Sequence, residues 1–255
     1  MNDLEYVKRE GLADFITFDE SVRHPDDPFA AVRPSSTAMP PLLPDLSRLH
    51  RLIRERKPLT ILEFGTGYST ITIAHALHKN RIDWERLAPK PKLRNRYMFQ
   101  CFTVDASTKW LETSKSRLPS ELAHHITFQH SPVKIGTHAG QLCHFYESLP
   151  DVVPDFVYLD GPDPKDVEGS IHGLTFKCDE RTVMAGDLLL MEPTLLPGTF
   201  ILADGRTNNC RFLANNFRRN FKMTWDREGD ITTFELVEDR LGPFNILGSD
   251  VLGSS

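Results

Sequence analysis

Four acidic side chains stand at or near the ends of short apolar runs, where they can do chemistry. They are Glu63, Asp105, Asp160 and Asp204. Short apolar runs between turn-forming residues are typical of buried strands. If these strands are parallel, their carboxyl ends meet at one edge of the sheet, which is where open α/β sheets bind ligands. Carboxylates gathered there can receive an ammonium group, hold the hydroxyls of a sugar or remove a proton from an acceptor.

The first of these acids precedes a glycine turn, 61-ILEFGTGYST-70. A strand that passes through Gly65 and Gly67 into a helix exposes backbone N–H groups to a polar or anionic ligand. The turn is no phosphate loop, since no Gly-Lys-Ser/Thr follows it. It is a poor dinucleotide fingerprint, because Thr70 stands where the third glycine belongs. The ribose acid of that fingerprint follows about 20 residues on, whereas Asp105 lies 38 residues beyond Gly67.

Helix and strand patterns alternate along most of the chain, and these elements position the acids. We predict strands over 59–64, 99–105, 126–130, 155–160, 199–204, 221–227 and 231–238, helices over 45–56, 69–79, 107–118, 181–196 and 208–220, and a hairpin over 133–147. Alternating units of this kind predict a doubly wound α/β fold with a mostly parallel sheet. The short glycine-containing turn before the final strand predicts that this strand runs antiparallel to its neighbour.

The proline-rich beginning of the chain differs from the rest. We predict that residues 1–44 form an irregular N-terminal arm, that 45–240 form a single domain, and that 241–255 are a flexible tail. Residues 80–97 have the composition of a basic insertion.

Composition excludes several classes of protein. The chain has 255 residues with a formal charge of −5 and a pI near 6.1, so it lacks the basic balance of a nucleic-acid-binding protein. No apolar run reaches membrane-spanning length, and the first residues lack the apolar core of a signal peptide. The four cysteines are far apart in sequence. Reduced structural thiols in a cytoplasmic protein are the expectation.

With Glu63 in an E-x-G-x-G turn, Asp105 at the next strand end and an antiparallel last strand, the sequence resembles the class I S-adenosylmethionine-dependent methyltransferases. The resemblance covers roughly residues 45–238 and implies a seven-stranded sheet and S-adenosylmethionine (SAM) as cofactor. Ser69 departs from the family loop, which has a third glycine there. The cofactor-binding residues implied are Glu63, Gly65, Thr66, Gly67, Tyr68 and Ser69 around the methionine portion, Asp105 and Ala106 at the ribose, Ser131 near the adenine, and Asp160. Without a ligand, Asp105 has a second interpretation as the N-cap of the following helix.

The second half of the chain looks similar to catechol O-methyltransferases and their relatives. Asp160 follows the fourth parallel strand of that resemblance and Asp204 the fifth, and in those enzymes such acids help to bind Mg²⁺. Gly205 replaces the asparagine that would be a further ligand, so Mg²⁺ is the less favoured alternative for Asp160 and Asp204. The preferred interpretation makes Asp160, Asp204 and Arg206 catalytic, by positioning the acceptor and removing its proton. Acids that only cap loops are the remaining alternative.

We therefore expect O-methylation of a small polar acceptor rather than of a nucleic-acid base. The run LDGPDP after Asp160 is not the Asn/Asp-Pro-Pro-aromatic signature of methyltransferases that act on base amines. An aminopropyl transferase with the same type of fold is one rival. A binding protein that keeps the cofactor site without catalysis, or a dinucleotide-dependent oxidoreductase, is another. The expected partner is a small molecule, with no nucleic acid and no membrane, and a homodimer is an option. The sequence does not identify the acceptor.

Overall fold

A computed structural model describes residues 1–22, 39–178 and 180–253. Its strands are β1 (Thr60–Phe64), β2 (Gln100–Asp105), β3 (Ile126–His130), β4 (Val133–His138), β5 (Gln141–Tyr146), β6 (Phe156–Leu159), β7 (Val167–Glu168), β8 (Phe200–Asp204), β9 (Phe221–Asp226) and β10 (Ile231–Leu236). Its helices are α1 (Asp3–Glu10), α2 (Leu43–Arg56), α3 (Tyr68–Glu85), α4 (Thr108–Arg117), α5 (Asp187–Met191), α6 (Thr207–Asn216) and α7 (Gly248–Leu252).

Seven strands form the main sheet, in the order β3-β2-β1-β6-β8-β10-β9. All neighbouring pairs are parallel except those made by β10, which is antiparallel to both β8 and β9. The predicted mostly parallel seven-stranded sheet with an antiparallel last strand is confirmed. Because β1, β2, β6 and β8 are parallel, their carboxyl ends lie along one edge.

Helices and a small second sheet cover the two faces of the main sheet. On one face, Leu49 and Ile53 of α2 and Ile73 of α3 pack against side chains of β1, β2, β6 and β8. On the other face, α5, α6 and the sheet β5-β4-β7 bury Leu62, Val157 and their neighbours. The predicted hairpin over 133–147 is present as β4 and β5. It follows β3 and precedes β6 in the chain, and it packs on the main sheet. Among the described helices, none is long and apolar enough to cross a membrane.

The N-terminal prediction is partly wrong. We expected residues 1–44 to be irregular, but α1 forms because the Asn2 side chain accepts a hydrogen bond from the Glu5 backbone N–H and the Glu5 carboxylate accepts one from the Asn2 backbone N–H. Gly11 ends the helix in a left-handed conformation. Most of the loop predicted over 24–44 lies outside the described residues.

Other element boundaries also differ from prediction. The helix α3 continues through Glu85, so the segment predicted as an insertion from residue 80 begins later. The helix expected over 181–196 is only the five-residue α5, since Gly186 is its N-cap and Pro193 lies in the short turn after it. We predicted a flexible tail over 241–255, but α7 forms there and Asn245 is buried, with its amide donating to the carbonyl of Pro197.

Candidate active site

The glycine turn between β1 and α3 is organised by Glu63, which is fully buried. The hydroxyl of Ser69 donates to one carboxylate oxygen at 2.6 Å and that of Thr70 to the other at 2.8 Å. The Thr70 hydroxyl also accepts from the backbone N–H of Gly67 at 3.2 Å. Burial raises the pKa of Glu63 to about 7, and the hydroxyl hydrogen bonds oppose that rise. These contacts favour a role for Glu63 in ordering the turn over one in receiving an ammonium group.

Two glycines bring the turn after β1 against the loop after β6. Gly65 has a φ of +97°, and a Cβ on it would lie 3.0 Å from the backbone nitrogen of Gly161. A Cβ on Gly161 would lie only 2.5 Å from the backbone nitrogen of Gly65. Gly161 was not among the residues predicted from the sequence. Gly67 faces open space instead, because a Cβ there would meet no heavy atom within 4 Å.

The two other predicted residues of this turn point in different directions. Thr66 places its hydroxyl 3.2 Å from that of Thr70, within the same network. Tyr68 packs with the cluster formed by α1 and the start of α2, and the guanidinium of Arg117 lies 4.8 Å from its ring centroid. The ring of Tyr68 therefore has protein partners of its own.

Asp105 ends β2 and is nearly buried. Its carboxylate accepts a hydrogen bond from the backbone N–H of Ser107 at 2.7 Å, and another from that of Thr66. Burial raises the pKa of Asp105 to about 7, and the negative charge of Asp166 raises it further. The N-cap of α4 is Ser107, whose hydroxyl accepts from the N–H of Trp110. Asp105 therefore does not cap this helix, and the N-cap interpretation of it is wrong.

Ala106 and Ser131 flank Asp105. The Ala106 carbonyl accepts from Nε2 of His130 at 3.0 Å. Ser131 follows β3 and is fully buried, and its backbone N–H donates to the carbonyl of Asp105 at 3.0 Å. Its hydroxyl oxygen accepts from the N–H of Ser148 at 2.9 Å, so Ser131 anchors the neighbouring loop beside Asp105.

Asp204 lies at the carboxyl end of β8, among groups of both signs. The hydroxyl of Tyr158 donates to one carboxylate oxygen at 3.1 Å, and the Arg48 guanidinium lies 3.7 Å from the other. Burial raises the pKa of Asp204 to about 7, and the negative charges of Asp160 and Asp45 add to that rise. The positive charge of Arg48 and the hydrogen bond from Tyr158 lower the pKa in turn.

Asp160 and Arg206 meet across the ends of β6 and β8. The side chain of Asp160 is 53% exposed, whereas that of Arg206 is 15% exposed. The Arg206 guanidinium donates to the backbone carbonyls of Asp160 and Pro162, and it lies 4.0 Å from the Asp160 carboxylate. Arg206 therefore fixes the loop that follows β6 and leaves the Asp160 carboxylate at the mouth of the site.

The residues predicted from the sequence thus converge on the carboxyl edge of a seven-stranded sheet whose strand order places the reversed β10 between β8 and β9. That arrangement decides the fold. The chain has the class I methyltransferase fold.

Among proteins of known structure, methyltransferases are similar to this chain at low sequence identity. No family description matches the sequence, and no curated protein matches it. The O-methyltransferase TomG from Streptomyces achromogenes, solved in complex with SAM, is 18% identical over 94% of this chain and 100% of its own, with a TM-score of 0.43. The methyltransferase PaMTH1 from Podospora anserina, solved with SAH, is 14% identical over 92% and 88%, with a TM-score of 0.45. The assignment of fold rests on the strand order.

Mg²⁺ fits the acidic pair poorly. A guanidinium lies beside each carboxylate, Arg48 at 3.7 Å from Asp204 and Arg206 at 4.0 Å from Asp160. A hard cation prefers a shell of about six oxygens, and these arginines bring positive charge to the place where that shell would form.

A group of buried polar side chains behind Arg206 was missed at the sequence level. The atoms of this group that have no hydrogen-bond partner among the described residues belong to His144, Tyr146, Asp187 and Asn209, and Nε of Arg206 itself also lacks one. Burial lowers the pKa of His144 to about 3, and the positive charge of Arg206 acts in the same direction. Buried polar atoms are nearly always satisfied, so this interior suits water or a small polar group. Its parts are brought together only when β5 packs against α5 and α6.

Proposed function

We propose that this protein is an SAM-dependent methyltransferase that transfers a methyl group to an oxygen of a small polar acceptor. One observation carries the proposal. In a sheet with the class I methyltransferase strand order, an ordered glycine turn after β1 lies beside the buried carboxylate of Asp105 at the end of β2. Their ligand needs a polar group for the turn and hydroxyls for the carboxylate, which matches a nucleoside joined to an amino acid.

The residues present suit that cofactor. Asp105 already accepts backbone hydrogen bonds at its carboxylate, which holds it in place to accept hydrogen bonds from ribose hydroxyls. The space in front of Gly67 is open and Gly67 is the N-cap of α3, and the start of a helix favours a carboxylate. When bound, SAM supplies an electrophilic methyl group on a sulfonium.

Asp204 is the candidate general base. An alcohol or phenol must lose a proton as it attacks, and a base works best when its pKa lies near the working pH. Burial and the neighbouring Asp160 bring the pKa of Asp204 to about 7. The hydrogen bond from Tyr158 fixes the orientation of the carboxylate. Asp160, held by Arg206 at the mouth, positions the acceptor, and such alignment of two reactants accounts for much of the acceleration in a transfer of this kind.

Calorimetry with three ligands tests the cofactor. We expect binding of SAM at one site per chain, and weaker binding of its decarboxylated form, which lacks the carboxylate for the start of α3. Binding of NAD alone would refute the proposal. Preferential binding of decarboxylated SAM would indicate an aminopropyl transferase.

Turnover tests the reaction. The chain is incubated with SAM and a panel of small alcohols, phenols and amines, and formation of S-adenosylhomocysteine and methylated product is followed by mass spectrometry. We expect products methylated at oxygen. Methylation of amines only would contradict the acceptor class. SAM binding without turnover on any member of the panel would favour the non-catalytic alternative.

A further inference from the structure

Three histidines form a cluster at the edge of the sheet opposite the candidate active site. His78 lies on α3, and His124 and His125 lie on the short helical turn that leads into the amino end of β3. Each of the three residues has a ring nitrogen within 4.8 Å of a ring nitrogen of the other two. His78 is about 15 Å along α3 from Tyr68, given 1.5 Å of rise per residue. The cluster is therefore separate from the glycine turn at the start of that helix.

Hydrogen bonding determines which nitrogen His125 offers. Its Nδ1 lies 2.8 Å from the backbone carbonyl of Phe99, and a carbonyl only accepts, so Nδ1 carries the proton. Nε2 of the neutral ring is then a lone-pair donor, and it lies 3.4 Å from Nδ1 of His78. Two nitrogens bound to one tetrahedral Zn²⁺ at 2.0–2.1 Å stand about 3.3 Å apart. The carbonyl of Phe99 is also the kind of outer partner that orients metal-binding histidines.

We propose that His78, His124 and His125 bind Zn²⁺ through three imidazole nitrogens, with water in the fourth position. Imidazoles suit borderline divalent ions, whereas Mg²⁺ and Ca²⁺ prefer oxygen ligands. Bound there, the ion ties α3 to the connection between β2 and β3. Its role is structural or regulatory, because it lies at the edge opposite the proposed reaction. The proposal does not depend on the proposed function.

The surrounding charges are compatible with a cation. His125 is buried, and burial disfavours the positive charge of a protonated imidazole. Arg81, whose positive charge acts on His78, is paired with Glu85 at 2.9 Å. The negative charges of Glu85 and Glu121 oppose the effect of Arg81 at His78.

Zinc titration of the full chain, produced without a histidine tag and stripped with a chelator, tests the site. We expect saturable binding of one ion per chain by calorimetry and a higher melting temperature with Zn²⁺. His78→Ala and His124→Ala should each weaken binding at least tenfold. Both side chains are at least partly exposed, so we expect the metal-free variants to melt like the wild type, and this is measured in parallel.

His138→Ala is the matched control, because His138 lies in β4, outside the cluster. It should leave affinity unchanged. Absence of one-to-one binding, or affinity that survives both cluster substitutions, would overturn the proposal. Equal losses in all three variants would mean adventitious binding to surface histidines and would overturn it as well. Co²⁺ substitution adds a spectroscopic check, since the intense visible absorption of a tetrahedral complex should appear in the wild type and vanish in His78→Ala.

Discussion

The contact between the turns after β1 and β6 leaves no space for a side chain at Gly161, so Gly161→Ala should be strongly destabilising. The new Cβ would lie 2.5 Å from the nitrogen and 2.6 Å from the Cα of Gly65, and 2.9 Å from the carbonyl carbon of Phe64. Ordinary contacts begin near 3.4 Å, so the closest overlap is about 0.9 Å. All three neighbours are backbone atoms of the β1 end, which no rotamer change can move away. Gly161 does not have a left-handed φ, so the cost is steric.

Overpacking of this kind costs about 1–3 kcal/mol, and the rigid neighbours put Gly161→Ala near the upper end. A domain of this size loses roughly 2–4 °C of melting temperature per kcal/mol. We therefore expect the melting temperature to fall by about 6–12 °C. Thermal unfolding followed by circular dichroism measures the shift, and urea unfolding checks that the midpoint falls while the slope stays constant. A melting temperature within about 2 °C of wild type would refute the steric argument.

Gly67→Ala is the matched control, with the opposite expected pattern. Its Cβ would meet no heavy atom within 4 Å, and the backbone there is extended, with φ of 175°. The melting temperature should stay unchanged, while affinity for SAM falls at least tenfold because the methyl group enters the space proposed for the cofactor. Equal destabilisation by both substitutions would contradict the packing argument. Unchanged affinity in Gly67→Ala would contradict the cofactor placement.

Three further substitutions test separate parts of the molecule. Asp105→Asn keeps an oxygen for the Ser107 N–H but loses the charge, so calorimetry should show SAM binding about 10–100-fold weaker at a similar melting temperature. Asp204→Asn should reduce kcat and abolish a rise in rate through pH 7, because the wild-type carboxylate loses its proton as pH rises past its pKa of about 7; an unchanged pH profile would exclude Asp204 as the base. Asp83→Ala leaves the buried Lys57 ammonium without its partner at 2.8 Å and removes the Arg54 pair at 2.9 Å, so urea unfolding should show a loss of about 3 kcal/mol in the free energy of unfolding; a loss under about 0.5 kcal/mol, as for exposed ion pairs, would contradict this.

The sheet and the cofactor side of the site were predictable from local sequence. Apolar runs with an acid at or near the end mark β1, β2, β6 and β8, and the turn before the last run predicts the reversal at β10. The capping pair Asn2 and Glu5 with Gly11 was also a local signal for α1, although we predicted irregular structure there. These features depend on residues close together in the chain, so their patterns are visible without a structure.

The remaining parts depend on contacts between distant segments. Gly161 is required only because Gly65 approaches it, and the polar group around His144 exists only where β5 meets α5 and α6. The histidine cluster likewise joins His78 to a turn more than 40 residues later. No hydrophobic period or residue spacing indicates such pairs, because neither partner lies in a segment with a distinctive sequence pattern.

Arg48 gives α2 an influence on the reaction that its position in the chain does not suggest. It lies before the first strand, yet its guanidinium is paired with Asp45 on its own helix and stands 3.7 Å from Asp204. Its positive charge lowers the pKa of that carboxyl. Because Asp45 on the same helix raises that pKa, loss of the Arg48 guanidinium alone would raise the proton affinity of the candidate base and move the working pH of the proposed reaction upward. Under the proposed function, a residue ahead of the sheet thus tunes the pH dependence of turnover while the cofactor side of the site stays unchanged.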